Sequence, residues 1–202
     1  MSDRKQPAKR EAILEAATTA FREEGYETSS MDRIAELASV SKRTVYNHFG
    51  SKEALFQAVV DRLISHARSL KKVPWDPART LQEQLHDFVT AKTTVANDPA
   101  WSGLLRVVLG VVIRNPEMAK ETTLKAADGE DALVRWLDAA SKAGRMNVDM
   151  PIIAANVFWA MVTGALFWPQ VFGMPMTADE KAIITHELIK TFLARYGPTP
   201  PG

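Results

Sequence analysis

The chain has 202 residues, of which 46% are hydrophobic, and no cysteine. That length allows a sizeable core in one large or two small domains, and the missing thiols exclude disulfides, thiolate catalysis and Cys-ligated zinc while fitting a reducing cytoplasm. A formal net charge of +1 points to no polyanionic partner by amount alone, so the position of charge has to carry any such reading.

The N-terminus, MSDRKQPAKREA, is polar and charged and is no signal peptide. Met1 to Pro7 reads as a disordered arm. Its Arg4 and Lys5, with Lys9 and Arg10, either reach phosphates or form a solubilising tail. Ala8 to Glu24 predicts an amphipathic helix with Ile13, Leu14, Ala17, Ala20 and Phe21 on one stripe. Gly25 stops it as a left-handed cap would, and Tyr26 can fold back over the end.

Ser29 to Lys52 (SSMDRIAELASVSKRTVYNHFGSK) reads as two short helices joined by a tight turn. Ser29 or Ser30 caps the first, whose Ile34, Leu37 and Ala38 share a face. Ser41 caps the second, KRTVYNHF. Its Val45 and Phe49 point inward, leaving Lys42, Arg43, Thr44, Tyr46, Asn47 and His48 largely outward. An ordinary solvated helix carries Glu, Lys and Gln. This one offers hydroxyls, an amide, an imidazole and two cations, which suit phosphates and base edges. No acidic residue falls between Leu37 and Lys52, although the nine basic residues up to Lys52 are offset by eight acidic ones elsewhere in the stretch. Gly50 ends the helix and Ser51 caps the next, which runs from Lys52 to about Leu70 with Leu55, Phe56, Val59, Val60, Leu63 and Ile64 inward.

Lys71 to Pro77 (KKVPWDP) marks the clearest break. Residues 1–51 then form one domain and 52–202 a second, with 52–70 as the connecting helix. Asp76 or Thr80 opens a helix to about Asn97 with Leu81, Leu85, Phe88, Val89 and Ala96 inward. Pro99 starts the next at a first-turn position. Its VVLGVVI could pass for a buried strand by composition, but no partner strand exists in the sequence. A long helix from Asn115-Pro116 to Ala143 carries Leu124, Leu133, Trp136 and Leu137, with Asp128-Gly129 a weak point in its middle. Between Asp149 and Asp179 no charged residue occurs. That run approaches the length of a membrane span, yet Asn156, Thr163, Gly164, Pro169 and Gln170 interrupt it; a helix apolar all round also suits burial between its own domain and a partner subunit. Thr177 and Glu180 form a capping-box pattern opening a last helix with Ile183, Ile184, Leu188, Ile189, Phe192 and Leu193. Residues 197–202 are a frayed tail.

Catalytic signatures are missing: no GxSxG, Walker loop, GxGxxG or HExxH. His48, His66, His86 and His186 lie on four separate helices and propose no metal site. The expected class is therefore a non-enzymatic, all-α protein without cofactor or metal. The rivals are a small-molecule enzyme or binding protein on a helical scaffold, and a helical membrane protein.

Residues 9–57, with the helix ending F-x-x-x-G-Y, the SMDRIAELA helix and VSKRTVYNHFGSKEAL, resemble the DNA-binding domain of the TetR family of transcriptional regulators. Ser39 departs from the glycine that the family often carries in the turn. The resemblance implies an all-helical homodimer of about nine helices, with an N-terminal three-helix reading head and a C-terminal ligand-binding and dimerisation domain. It implies that Ser30, Tyr46, His48 and Lys52 hold phosphates, while Lys42, Arg43, Thr44 and Asn47 touch base edges or backbone, with Ser41 beside them as the cap. It further implies dimerisation through the last two helices. A small-molecule pocket would be lined by Trp101, Leu105, Val108, Trp136, Phe158, Met161 and Trp168, residues that equally suit plain core. ALFWPQVFGMP resembles the AefR-like branch of the family. The expectation is a cytoplasmic homodimeric repressor on a palindromic operator, released by a small apolar or aromatic ligand.

Overall fold

The computed structural model describes residues 5–69, 73–127, 131–174 and 176–198, and these are helical with short connections. Ten helices occur among them: α1 (Lys5–Glu24), α2 (Met31–Leu37), α3 (Lys42–Phe49), α4 (Lys52–Ser69), α5 (Leu81–Asn97), α6 (Pro99–Arg114), α7 (Pro116–Ala127), α8 (Asp131–Lys142), α9 (Pro151–Val171) and α10 (Ala178–Tyr196). The tenth arises because the long helix expected from Pro116 to Ala143 is present as α7 and α8. The Asp128-Gly129 weak point lies outside the described residues, as do Arg4 and the end of the C-terminal tail.

Two compact units form, one of Met1–His66 with Gly103–Thr123 and one of Ala67–Ser102 with Leu124–Gly202. In the first, α1 begins three residues earlier than predicted. Pro7 sits in its first turn, where the missing N–H has no helical partner to lose. Ile13, Ala17 and Phe21 of α1, Ile34 of α2, Val45 of α3, and Leu55, Phe56 and Val59 of α4 are almost fully buried. Each of these except Ala17 contributes about 1.5–3 kcal/mol through the area it removes from water. Gly25 adopts φ 87, and the chain reverses so that Tyr26 packs at 5.5 Å on Phe21 and 4.7 Å on Phe56. Buried Ser29 then donates to the carbonyls of Ala20 (3.1 Å) and Gly25 (2.6 Å), tying the end of α1 to the start of α2.

Leu37 departs from the predicted inner face and is 39% exposed. The buried stripe of α2 is Met31, Ile34 and Ala35. At about 100° per residue, Leu37 falls outside the arc that those three define.

The second unit has its core where α5, α8, α9 and α10 meet, with Phe88, Trp136, Leu137, Phe158, Val162 and Phe192 at its centre. The Trp136 ring meets Trp75 and Phe88 edge-on at 5.3 and 5.9 Å, and Phe158 meets Phe192 at 5.0 Å. Gln84 is wholly buried here. Its Oε1 accepts from Trp136 Nε1 (2.9 Å) and Asp76 N–H (2.9 Å), and its Nε2 donates to the Asp76 carbonyl (2.8 Å). Thr80–Glu83 and Thr177–Glu180 both close capping boxes, at the starts of α5 and α10.

Helix α9 is regular from Pro151 to Val162, makes a π turn over Thr163–Phe167 and resumes over Trp168–Val171. No sequence pattern predicts that turn. By length and composition α9 could cross a membrane, yet Ala154, Ala155, Phe158, Trp159, Val162 and Leu166 lie in the core of the unit.

Candidate nucleic-acid interface

Helix α3 begins where Ser41 leaves extended backbone (φ −74, ψ 149). Its Oγ accepts from the Thr44 N–H at 3.2 Å and lies 2.8 Å from the Thr44 hydroxyl. The cap satisfies an orphan donor and orients the first turn. Val45 and Phe49, four residues apart, are buried; Lys42, Arg43, Tyr46 and Asn47 are exposed, and Thr44 and His48 are half-buried. Gly50 at φ 71 ends the helix with its N–H on the Tyr46 carbonyl (2.8 Å), and Ser51 Oγ accepts from Ala54 N–H (3.2 Å) to start α4.

The turn between α2 and α3 is closed by Ser39 N–H on the Glu36 carbonyl and Val40 N–H on the Ala35 carbonyl, both at 3.0 Å. These are the paired bonds of a Schellman motif, which places Ser39 at the left-handed position; its φ is 52. Serine thus accepts a conformation that glycine adopts more cheaply.

Charge is sorted around this element. Lys42 Nζ meets Asp32 Oδ1 at 2.8 Å and lies 6.0 Å from the Tyr46 ring centre. The hydrogen bond to Asp32, then its charge, raises the Lys42 pKa. Arg33 binds Glu24 (2.9 Å) and Glu36 (3.6 Å), and Arg62 binds Glu11 (3.2 Å) and Glu15 (3.0 Å). These pairs engage Glu11, Glu15, Glu24, Asp32 and Glu36, none of which lies on α3. Arg43 and Lys52 have no ion-pair partner among the described residues.

Lys52 is the first residue of α4. Its Nζ donates to the Glu27 carbonyl (3.1 Å) and stands 4.5 Å from the centre of the Tyr26 ring. Burial, followed by the charges of Glu53 and Glu27, raises the Tyr26 pKa, so the phenol stays neutral. Glu53 is held below the usual carboxylate range by its own backbone N–H and then by the Ser51 hydroxyl. Ser30 caps α2 and is itself exposed, its Oγ accepting from Arg33 N–H at 3.1 Å.

The structure therefore places Lys42, Arg43, Tyr46 and Asn47 together on the solvent face of α3, and puts Ser30, Ser41 and Lys52 at the starts of three successive helices. Sequence reasoning missed Asp32 and Tyr26, the partners of the two lysines. Asp32 precedes the acid-free stretch by a few residues and reaches it through the turn.

The expected ligand liners are distributed differently. Trp136, Phe158 and Val108 are buried, whereas Trp101, Leu105, Met161 and Trp168 are half-buried. Trp168 stacks on Phe172 at 5.8 Å.

Two family models match the chain. "Bacterial regulatory proteins, tetR family" covers residues 13–59, and "AefR-like transcriptional repressor, C-terminal domain" covers 83–198. The transcriptional repressor AcnR of Corynebacterium efficiens is 30% identical over 153 residues, 74% of each chain. The chain spans only 40–52% of three other curated relatives that it matches. Among solved structures, a TetR family regulator from Pseudomonas syringae pv. tomato is 35% identical over 98% of this chain and 99% of that one, with a TM-score of 0.77. The flavonoid-responsive regulator FrrA is 28% identical over 95% and 98%, with a TM-score of 0.79. With its all-helical fold, its helix-turn-helix at α2–α3 and models covering both parts of the sequence, this chain belongs to the TetR family of DNA-binding transcriptional regulators.

Proposed function

We propose that the protein is a cytoplasmic, homodimeric repressor that leaves a palindromic operator when a small apolar or aromatic ligand binds. The observation that carries this reading is α3: a basic, amide- and hydroxyl-bearing face held rigid by buried Val45 and Phe49. Residues 1–51 form the reading domain, and 52–202 form the ligand and dimer domain. Arg43, Lys42, Thr44 and Asn47 address base edges or nearby backbone. Ser30, Tyr46, His48 and Lys52 hold phosphates, Lys52 with the help of the α4 N-terminus, and Ser41 stands beside them as the cap.

Dimerisation through α9 and α10 is supported by Ile152, Ile153, Val157 and Ile183, which are large, apolar and exposed in the single chain. Two-fold symmetry then sets half-sites about 34–36 Å apart. Within the second unit the ligand reading rests on Trp101, Trp136, Phe158, Met161 and Trp168 of the expected liners, and on the flavonoid response named for the relative FrrA. Helix α4, continuous from Lys52 to Ser69, is the lever between the two functions. The ligand acts only through its different affinities for the bound and released states.

The test is selection of bound fragments from genomic DNA by the full chain, followed by footprinting. An enriched inverted repeat protected in two half-sites supports the reading; random recovery with no footprint rejects it. Addition of a flavonoid to the footprinting reaction tests release.

A further inference from the structure

We propose that the second unit carries a binding site for a small carboxylate, set between α5, the π turn of α9 and the first turns of α10. This site shares no lining residue with the proposed apolar pocket and does not depend on the DNA reading.

A cavity of about 310 Å³ opens there, at the compact end of the roughly 300–1,000 Å³ typical of small-molecule sites. Val89, Leu166 and Thr185 are its buried lining, and Ala178 and Ala182 flank them on α10. Among the described residues no acidic side chain lines it. Lys181 does, and its Nζ is steadied at 3.2 Å by the neutral Asn97 Oδ1 and not by a carboxylate. An ammonium has three protons, so this one retains donors for a ligand. Of the acids in the first turn of α10, Glu180 folds back onto Thr177, its Oε2 accepting from the N–H (2.8 Å) and hydroxyl (3.0 Å), and Asp179 is exposed.

Gln170 supplies the second polar anchor. Its Nε2 is shielded from solvent and has no hydrogen-bond partner among the described residues. A buried amide donor left unmade is unfavourable, and a ligand oxygen relieves it once the amide turns into the cavity. Gln170 reaches this wall because α9 takes an extra residue in its π turn just before it, a device found often at functional sites. A cation, an unmade amide donor and an apolar floor in one small, acid-free cavity select a carboxylate on a short apolar body.

Isothermal titration calorimetry on the full chain, with benzoate and its neutral counterpart benzamide, tests this without DNA, so its outcome is separate from that of operator selection. The expected result is saturable benzoate binding, one per chain, at least ten-fold tighter than benzamide. Lys181→Met should weaken benzoate at least ten-fold, and Gln170→Leu several-fold. Ala182→Trp, which fills the cavity from an exposed position, should abolish binding with an unchanged circular dichroism spectrum. Equal binding of the two probes, unchanged benzoate affinity in Lys181→Met and Ala182→Trp, or no saturable binding of benzoate or butyrate would each overturn the proposal.

Discussion

The ammonium of Lys52 rests 4.5 Å from the centre of the Tyr26 ring while donating to the Glu27 carbonyl, so a backbone reversal at the end of α1 orients the first side chain of α4. A lysine held in this way is a pre-positioned point charge with little rotamer freedom left to lose. Lys52→Ala should weaken operator binding several-fold and lower the slope of log K against log salt by about one. A mobility-shift titration at several salt concentrations measures both, and unchanged values would remove Lys52 from the interface.

Asp32 competes with DNA for Lys42. Asp32→Asn frees the ammonium, so affinity for random-sequence DNA should rise by a factor of about 2–5 at low salt, with the ratio of operator to random binding falling. Fluorescence anisotropy with both duplexes checks this. Unaltered random-sequence affinity would mean that the pair opens without cost.

The dimer reading is exposed to a clean substitution. Gly164 is exposed, and a Cβ built on it meets nothing within 4 Å, so Gly164→Asp leaves the single chain undisturbed. Sedimentation velocity should show a monomer at concentrations where the parent is a dimer. A variant that remains dimeric would place the interface elsewhere.

Gln84 bridges the segment before α5 to the Trp136 indole. Gln84→Leu keeps the approximate volume but strands the Trp136 and Asp76 N–H donors, at about 1–3 kcal/mol each, so the expected loss is about 2–6 kcal/mol. Urea denaturation followed by tryptophan fluorescence measures it.

Ser39 holds φ 52 at the Schellman position. Ser39→Gly removes the Cβ clash, offset in part by the entropy of glycine in the unfolded chain. A gain of about 0.5–1 kcal/mol is expected in thermal unfolding. A loss of stability would show that the serine side chain contributes more than its backbone costs.

The reading head was legible because its signals are local. Ser41, Val45, Phe49 and Gly50 bound α3 as Lys42–Phe49, the segment that the sequence pattern predicts; Thr177 caps as expected, and of the two serines offered for α2 the cap is Ser30. What escaped is non-local or phase-dependent. Lys42 finds Asp32 ten residues back across a turn, and Lys52 finds the Glu27 carbonyl 25 residues back. Neither contact leaves a trace in spacing. The outward Leu37 shows a second limit: in a seven-residue helix three positions fill the buried arc, and a flanking leucine is left out. The π turn of α9 has no residue signature, since Thr163–Phe167 (TGALF) would serve equally well in a regular helix.

That turn also has a consequence for register. An inserted residue advances the helix phase by about 100°. Everything after Phe167 therefore faces a different neighbour from the one a straight helix would give it, while the residues before Thr163 keep their seats in the core. Insertions and deletions in α9 should consequently be unequal in effect. Removing one residue between Thr163 and Phe167 takes out the extra residue and leaves a regular helix, so Gln170 and Val171 keep their present neighbours and Ala154 to Val162 stay in place. The same deletion a turn earlier would instead misalign Phe158 and Trp159. The segment 163–167 is thus the place where this helix can absorb a change of length while its buried first half stays fixed.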